Sequence, residues 1–336
     1  MVQTSWSGTQ YELPDTGAPR VEVRGWMTEA AARKLAALAG KKLDALVASA
    51  RGRDFRPVPL GVTTSIAFDV GLERTESANV IGVLEGRDPA LSSEAMIYTA
   101  HHDHLGIGEP DAHGDRIYNG AVDNASGCAQ VLAIARAFAA TTPRPKRTVV
   151  AMFVAAEEQG LLGSEYWVAH PTIPLPRVAA DLNIDGGNVL GRTSDVAIIG
   201  KGKSTLEDLL AEAAAAQHRH VVDEPEPDKG YYYRSDQLNF ARVGVPALYF
   251  KSGQTFLGRP PGWGAKKEAE YRRLHYHQPS DEVMPSWDLS GMVEDDRLAY
   301  AVGLAVVNGA ELPRWRPGDE FEAVRERSLR EPKPGD

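Results

Sequence analysis

The sequence predicts an α/β fold with a mixed, mainly parallel central sheet flanked by helices. Three observations lead there. From Asn79 onward, short apolar runs alternate with stretches of helical spacing. Several runs, EAMIYTAH and TVVAMFVAA among them, are almost unbroken, as strands buried on both faces are. Helices between successive strands imply right-handed crossovers, and so parallel neighbours. Composition agrees. With 336 residues, 43% hydrophobic and 25% charged, the chain can bury a sizeable core without disulfides. A single cysteine, Cys128, excludes an intrachain disulfide and any Cys-rich zinc ribbon. The formal charge of −9 lacks the basic face that nucleic acid requires. No apolar run approaches the roughly 18–20 residues of a membrane span. The start, MVQTSWSGTQYELPDTG, has no basic-then-apolar pattern, so no signal peptide is expected.

The elements follow in order. Residues 1–20 are polar and turn-rich and read as an arm. VEVRGW is a short strand candidate. A helical stretch opens at Thr28, a good N-cap, with Glu29 placed near the positive helix end. Gly40 separates Leu35 and Leu38 from Leu43 and Leu46, which predicts two short helices rather than one. LGVTTSIAFDV is β-like. The main strand candidates are NVIGVLEG, EAMIYTAH, TVVAMFVAA, VAADLNID, DVAIIG and VPALYF. Helices are expected near residues 125–140, 160–170, 204–218 and 288–308. In the first, Cys128, Val131, Leu132, Ala135 and Phe138 recur at helical spacing. The stretch after Gly309 is charged and Pro-interrupted, and reads as a surface-hugging or frayed end. The expected divisions are residues 1–78, 79–312 and 313–336.

Chemistry-bearing residues fall where such a sheet places ligands, beyond the carboxyl ends of its strands. In order these are His101 and Asp103, Asp123 before a helix, Glu157 and Glu158, Asp185, and a late loop LHYHQPSDE with two histidines. So many acids at one rim repel each other, and no Lys or Arg lies in these motifs. A pair of divalent metal ions is the economical compensation. Each motif has an ordinary reading as well. AHHDHLG can be a solvated loop, and His102, His104 and the later His113 are left with that ordinary reading. Asp123 can simply initiate a helix, and Asp185 can open an Asp-Gly turn. The i+2 spacing of His101 and Asp103 lets the carboxylate hold the imidazole N–H while the other nitrogen takes a metal. Two adjacent acids, Glu157 and Glu158, can divide into ligand and base.

Taken together, AHHDHLG, GAVDNASG, AEEQGLLGSE, NIDG and YHQPSDE resemble the co-catalytic zinc aminopeptidases. These are the bacterial leucyl aminopeptidase-like enzymes, a group that also contains the transferrin-receptor-like peptidases. The likeness covers roughly residues 79–310. It implies the sandwich of that zinc-peptidase fold and two Zn²⁺ per chain, with Co²⁺ or Mn²⁺ as substitutes. By the resemblance Asp123 bridges the ions, His101 and Asp185 complete one, and Glu158 and His277 complete the other. Glu157 is then the general base and Asp103 the partner of His101. The family also has a cis peptide after the bridging aspartate, here Asp123–Asn124. RSDQLNFARVGVPALYF resembles a further family stretch, with Gln237 where a histidine is usual. Tyr232 or Tyr233 takes the place of a tyrosine that polarises the substrate carbonyl in some members, though packing in a pocket wall explains either equally well.

The function so implied is hydrolysis of N-terminal residues from peptides. The alternatives are dipeptidase, carboxypeptidase or glutaminyl cyclase-like chemistry on the same fold, and a non-catalytic receptor. Cyclases use one zinc, and receptors have eroded ligands, whereas all five ligand positions are filled here. No G-x-S-x-G elbow points to a serine hydrolase. Residues 21–78 resemble the final part of a protease-associated domain, and their leucines suggest a possible homo-oligomer contact. Relatives are commonly exported, so the missing leader leaves location open.

Overall fold

The computed structural model describes residues 9–14, 21 and 23–330. They divide into two units, residues 14–76 and residues 77–330 with the short stretch before residue 14. In the smaller unit, α1 (Glu29–Leu38) and α2 (Leu43–Ala50) form as expected. The Thr28 hydroxyl accepts the Ala31 N–H at 3.2 Å, capping α1. Gly40, at φ +66°, turns the chain between the two helices. Arg33 bonds both Glu29 and Asp44 across the turn, a solvent-exposed pair of small energetic value. The expected strands at 21–26 and 60–70 do not form among the described residues. Ile66, Phe68, Val70 and Leu72 alternate correctly but remain exposed. An alternating pattern makes a strand only when a neighbour satisfies its backbone groups, and here no ladder pairs with it.

In chain order the larger unit contains β1 (Val80–Leu84), β2 (Ala95–His101), the hairpin β3 (Gly106–Ile107) and β4 (Ile117–Tyr118), α3 (Gly127–Ala140), β5 (Thr148–Val154) and α4 (Leu162–Ala169). Next come β6 (Val178–Asn183), β7 (Asp195–Ile198), α5 (Leu206–Ala216), β8 (His220–Asp223), α6 (Gln237–Arg242) and β9 (Ala247–Ser252). The helices α7 (Trp263–Leu274), α8 (Ser290–Asn308) and α9 (Glu322–Arg330) complete it. All six main strand candidates and all four helical stretches are present. Seven strands form one sheet in the order β1-β5-β2-β6-β9-β7-β8. Strands β5, β2, β6 and β9 run parallel; β1 and β7 pair antiparallel with β5 and β9.

The two faces explain the unbroken apolar runs. Along β2, Met96 and Tyr98 face a core with Val131, Ile134 and Phe138 of α3 and Leu298 and Val302 of α8. Ile97, between them, faces Val150, Met152, Trp167 and Phe240 on the other side. The Tyr98 hydroxyl donates to the Ala299 carbonyl at 2.9 Å. A Cβ at Gly303 would lie 1.7 Å from that hydroxyl, so only glycine admits this helix–strand approach.

Elements without a clear apolar period were not legible. Helix α7 (WGAKKEAEYRRL) is half charged, α6 has six residues, and β8 has four. Of the two expectations for the stretch from 313 to 330, the first holds: it hugs the body and does not fray. The Trp315 indole donates to the Gly244 carbonyl at 2.8 Å, and buried Arg325 donates to the Val178 carbonyl at 2.8 Å. Phe321 is buried beside them. Three large side chains in a charged stretch suffice to seal it onto the sheet's second face. No helix among the described residues is long and apolar enough to cross a membrane.

Candidate metal centre

The parallel strands β2, β5 and β6 end at one rim, and each hands on an acid or imidazole. His101 is the last residue of β2. Glu157 and Glu158 follow β5 after Ala156, which takes φ +56°. Asp185 lies two residues beyond β6. Asp123 sits in the kinked turn Ala121–Ser126 ahead of α3, where Asp123 and Asn124 leave the helical backbone range, and its peptide bond to Asn124 is cis. Asn124 ties this turn to the β6 loop. Its amide donates to the Ile184 carbonyl at 2.9 Å and its oxygen accepts the Gly186 N–H at 2.9 Å. His277 arrives from the loop after α7.

These side chains converge. His101 Nε2 lies 3.0 Å from Asp123 Oδ1 and 3.7 Å from Asp185 Oδ1. His277 Nε2 lies 3.2 Å from Glu158 Oε2 and 3.4 Å from Asp123 Oδ2. Candidate ligand atoms of His101, Asp123 and Asp185 all fall within 4.8 Å of one another, as do those of His104, Asp123 and Glu158. The Nδ1 of His101 is 2.8 Å from the main-chain carbonyl of Asp103, which can only accept, so Nδ1 carries the hydrogen. That leaves the lone pair of Nε2 directed at two carboxylates. Lone pairs meet this way only when a proton or a cation lies between, and imidazole with carboxylates is a donor set suited to zinc. The residues therefore fit a metal.

The electrostatics agree. Burial disfavours a charged His101, yet the Asp123 and Asp185 carboxylates overcome it and push its pKa well above the ordinary value. Burial likewise opposes charge on His277, but Asp123 and Glu158 push it up to about 9. Despite burial, Asp123 is driven far below the usual carboxylate range by His101 and His277. Glu158 is lowered, against burial, by His104 and His277, and Asp185 by His101. Glu157 goes the other way. Enclosure raises its pKa well above the ordinary value, and the charges of Asp185 and Glu158 add to this. The two adjacent acids thus occupy opposite environments.

Two expectations need correction. Asp103 does not hold His101 through its carboxylate. Its Oδ2 accepts the Ala156 N–H at 2.6 Å, and the imidazole is held by its carbonyl instead. The i+2 argument assumed extended chain, and β2 stops at His101. Nor do Tyr232 and Tyr233 present their hydroxyls to the centre. Tyr232 is buried and donates to the Ala247 carbonyl at 3.2 Å, while Tyr233 is exposed and donates to Glu320. A tight 3₁₀ turn, Tyr231–Arg234, fans the three tyrosines apart, and only Tyr231 lines the cavity beside the centre. Gln237, where the family has histidine, is buried; its oxygen accepts from Asn183 at 2.7 Å and its amide donates to the Tyr232 carbonyl at 2.6 Å.

Two residues were missed. His104 Nδ1 lies 2.8 Å from Glu158 Oε1, and its ring meets the His277 ring edge-on. Nothing in HHDH distinguishes it from its neighbours. Asp281 accepts the N–H groups of Val122 and Asp123 at 3.1 Å and the Tyr271 hydroxyl at 3.2 Å. It lies four residues past His277, so one loop supplies an imidazole and the clamp on the Asp123 turn. Asp281→Ala should weaken zinc affinity by roughly 10–100-fold, the usual effect of losing a group that orients a ligand. Competition titration with a chromogenic chelator measures it, and unchanged affinity would show the turn to be held without Asp281.

The centre opens on a cavity of about 880 Å³, with Tyr249, Lys251, Tyr271 and Tyr276 among its walls. The sequence profile of Peptidase family M28 matches residues 79–301. Among curated proteins, leupeptin-inactivating enzyme 1 of Streptomyces exfoliatus is 28% identical over 217 residues, covering 63% of this chain and 47% of that protein. Probable leucine aminopeptidase 2 of Aspergillus oryzae is 24% identical over 269 residues, covering 75% and 49%. This chain thus spans about half the length of these relatives. Two solved structures share the fold. An aminopeptidase of Legionella pneumophila superposes with a TM-score of 0.51 at 23% identity, covering 69% of this chain and 56% of its own. A zinc aminopeptidase of Bacillus subtilis gives 0.51 at 20% identity, covering 69% and 51%.

Proposed function

This chain belongs to Peptidase family M28, and from that premise we propose that it is a metallo-aminopeptidase releasing N-terminal residues from peptides at two zinc ions. The observation that carries the reading is the placement of Asp123. Its two carboxylate oxygens face different histidines, His101 at 3.0 Å and His277 at 3.4 Å, each beside a further carboxylate. One ion would take His101, Asp123 and Asp185, and the other Asp123, Glu158 and His277; the same donors accept Co²⁺ or Mn²⁺. Bound there, the pair supplies Lewis acidity, acidifying a water and polarising the scissile carbonyl.

The chain's own groups do the rest. Glu157, enclosed and without a hydrogen bond to its carboxyl among the described residues, takes the proton of the attacking water and delivers it to the leaving amine. The Asp103 carboxylate, bonded to the Ala156 N–H, positions the loop from which Glu157 projects. Residues 79–312 form the catalytic part in this reading, and residues 1–78 a remnant of a protease-associated domain.

A panel of aminoacyl anilides and N-acetylated counterparts tests the reading. The zinc-loaded protein should cleave substrates with a free amine, fail on blocked ones, and lose activity reversibly to a chelator. Equal cleavage of blocked substrates would remove the aminopeptidase assignment, and chelator resistance would remove the metal.

A further inference from the structure

We propose that the Lys251 ammonium is an anion anchor in the substrate cavity, so that favoured substrates carry a carboxylate close to the scissile bond. The proposal rests on the peptidase reading of the same centre. Lys251 lies near the end of β9, which pairs in parallel with β6 in the register Asn183 to Tyr249. Lys251 follows Tyr249 by two residues as Asp185 follows Asn183, and the Lys251 charge acts on the Asp185 carboxylate. Gly186, the next residue, confirms the closeness, since a Cβ there would come 3.8 Å from Lys251 Nζ. The ammonium therefore sits beside the centre and on the cavity wall.

Its lack of partners distinguishes it. Lys267 on the same wall is paired with Glu270 at 2.7 Å, and Arg272 with Glu226 and Glu268. Lys251 forms no ion pair and donates no hydrogen bond among the described residues, Asp185 included. The Tyr249 ring lies 5.4 Å from Nζ to its centroid. It is exposed to the cavity with three donors to give. Its charge acts on Asp185 through space without a direct bond, so its donors stay open to an anion arriving from outside. Charge-assisted bonds of this kind favour a charged ligand over its neutral isostere by roughly 10–100-fold.

A carboxylate next to the scissile bond has two sources, an acidic side chain on the N-terminal residue or the free C-terminus of a dipeptide. Matched pairs separate them: glutamyl against glutaminyl anilide, and leucylglycine against leucylglycine amide. The wild-type protein should prefer the charged member of one pair by about 10-fold or more in kcat/KM, carried by KM. Lys251→Met should bring that ratio to within about twofold of one, and Lys251→Arg should keep it. Calorimetric Kd values for the same pairs, measured on Glu157→Gln protein, should show the same ratio without turnover. No preference in either pair, or a preference that survives Lys251→Met, overturns the proposal while leaving the peptidase reading intact. A binding preference lost with Lys251 in a protein that cleaves nothing would keep the anchor and remove the peptidase.

Discussion

Glu157→Gln protein is expected to bind two zinc ions and substrate almost normally while turning over at least 100-fold more slowly. The substitution keeps the size of the side chain and removes only its ability to accept a proton, a contribution of roughly 10²–10⁴-fold in general-base catalysis. The geometry makes the separation clean. Enclosure raises the pKa of Glu157, whereas neighbouring Glu158 is lowered by two histidines. Glu158→Gln, by contrast, should cost metal, because Glu158 lies 3.2 Å from His277 Nε2. Single-turnover kinetics with elemental analysis of both variants measures the difference. Equal metal loss in the two would mean that the acids act as one ligand unit. Retained turnover in Glu157→Gln would mean that another group takes the proton.

Asp123→Ala should lose both ions and with them all measurable turnover, a larger effect than any other single ligand produces. Each of its oxygens faces a different imidazole, so its removal breaks both halves of the site together. The four remaining ligands lose their shared partner at once, which leaves a His–Asp pair and a His–Glu pair. Zinc content below one ion per chain after equilibration with excess zinc is the expected reading. Two ions retained would show that Asp123 is not shared. Circular dichroism should remain native, since Asp123 caps no helix through its side chain and the core of both faces lies elsewhere.

How much of this was legible depends on which physical rule each residue obeys. The central strands β2, β5 and β6 were readable because burial on both faces leaves an apolar run, and such a run needs no knowledge of its neighbours. The rim was readable because parallel strands must end together, so acids after apolar runs meet whatever the connections do. That places His101, Glu157, Glu158 and Asp185 in one neighbourhood from sequence order, while the family resemblance singled out Asp123, Glu158 and His277 as ligands. The run at 60–70 misled for a related reason. Its alternation is correct for a strand, but a strand is a relation between two segments, and the second is absent among the described residues.

Hydrogen-bond partners lie beyond that reach. Asp103 meets the imidazole with its carbonyl because β2 stops one residue too soon for alternation to apply. Tyr232 and Tyr233 turn away because a 3₁₀ turn rotates each successive side chain by about 120°. His104 and Asp281 join the centre only through where their loops return, 54 residues from Glu158 and 158 from Asp123. By itself the sequence determined the α/β architecture, the rim and the residue types gathered there, since periodicity is burial written along one dimension. Only the tertiary structure decided which atom of each residue faces which partner, because that depends on chain direction after the regular elements end.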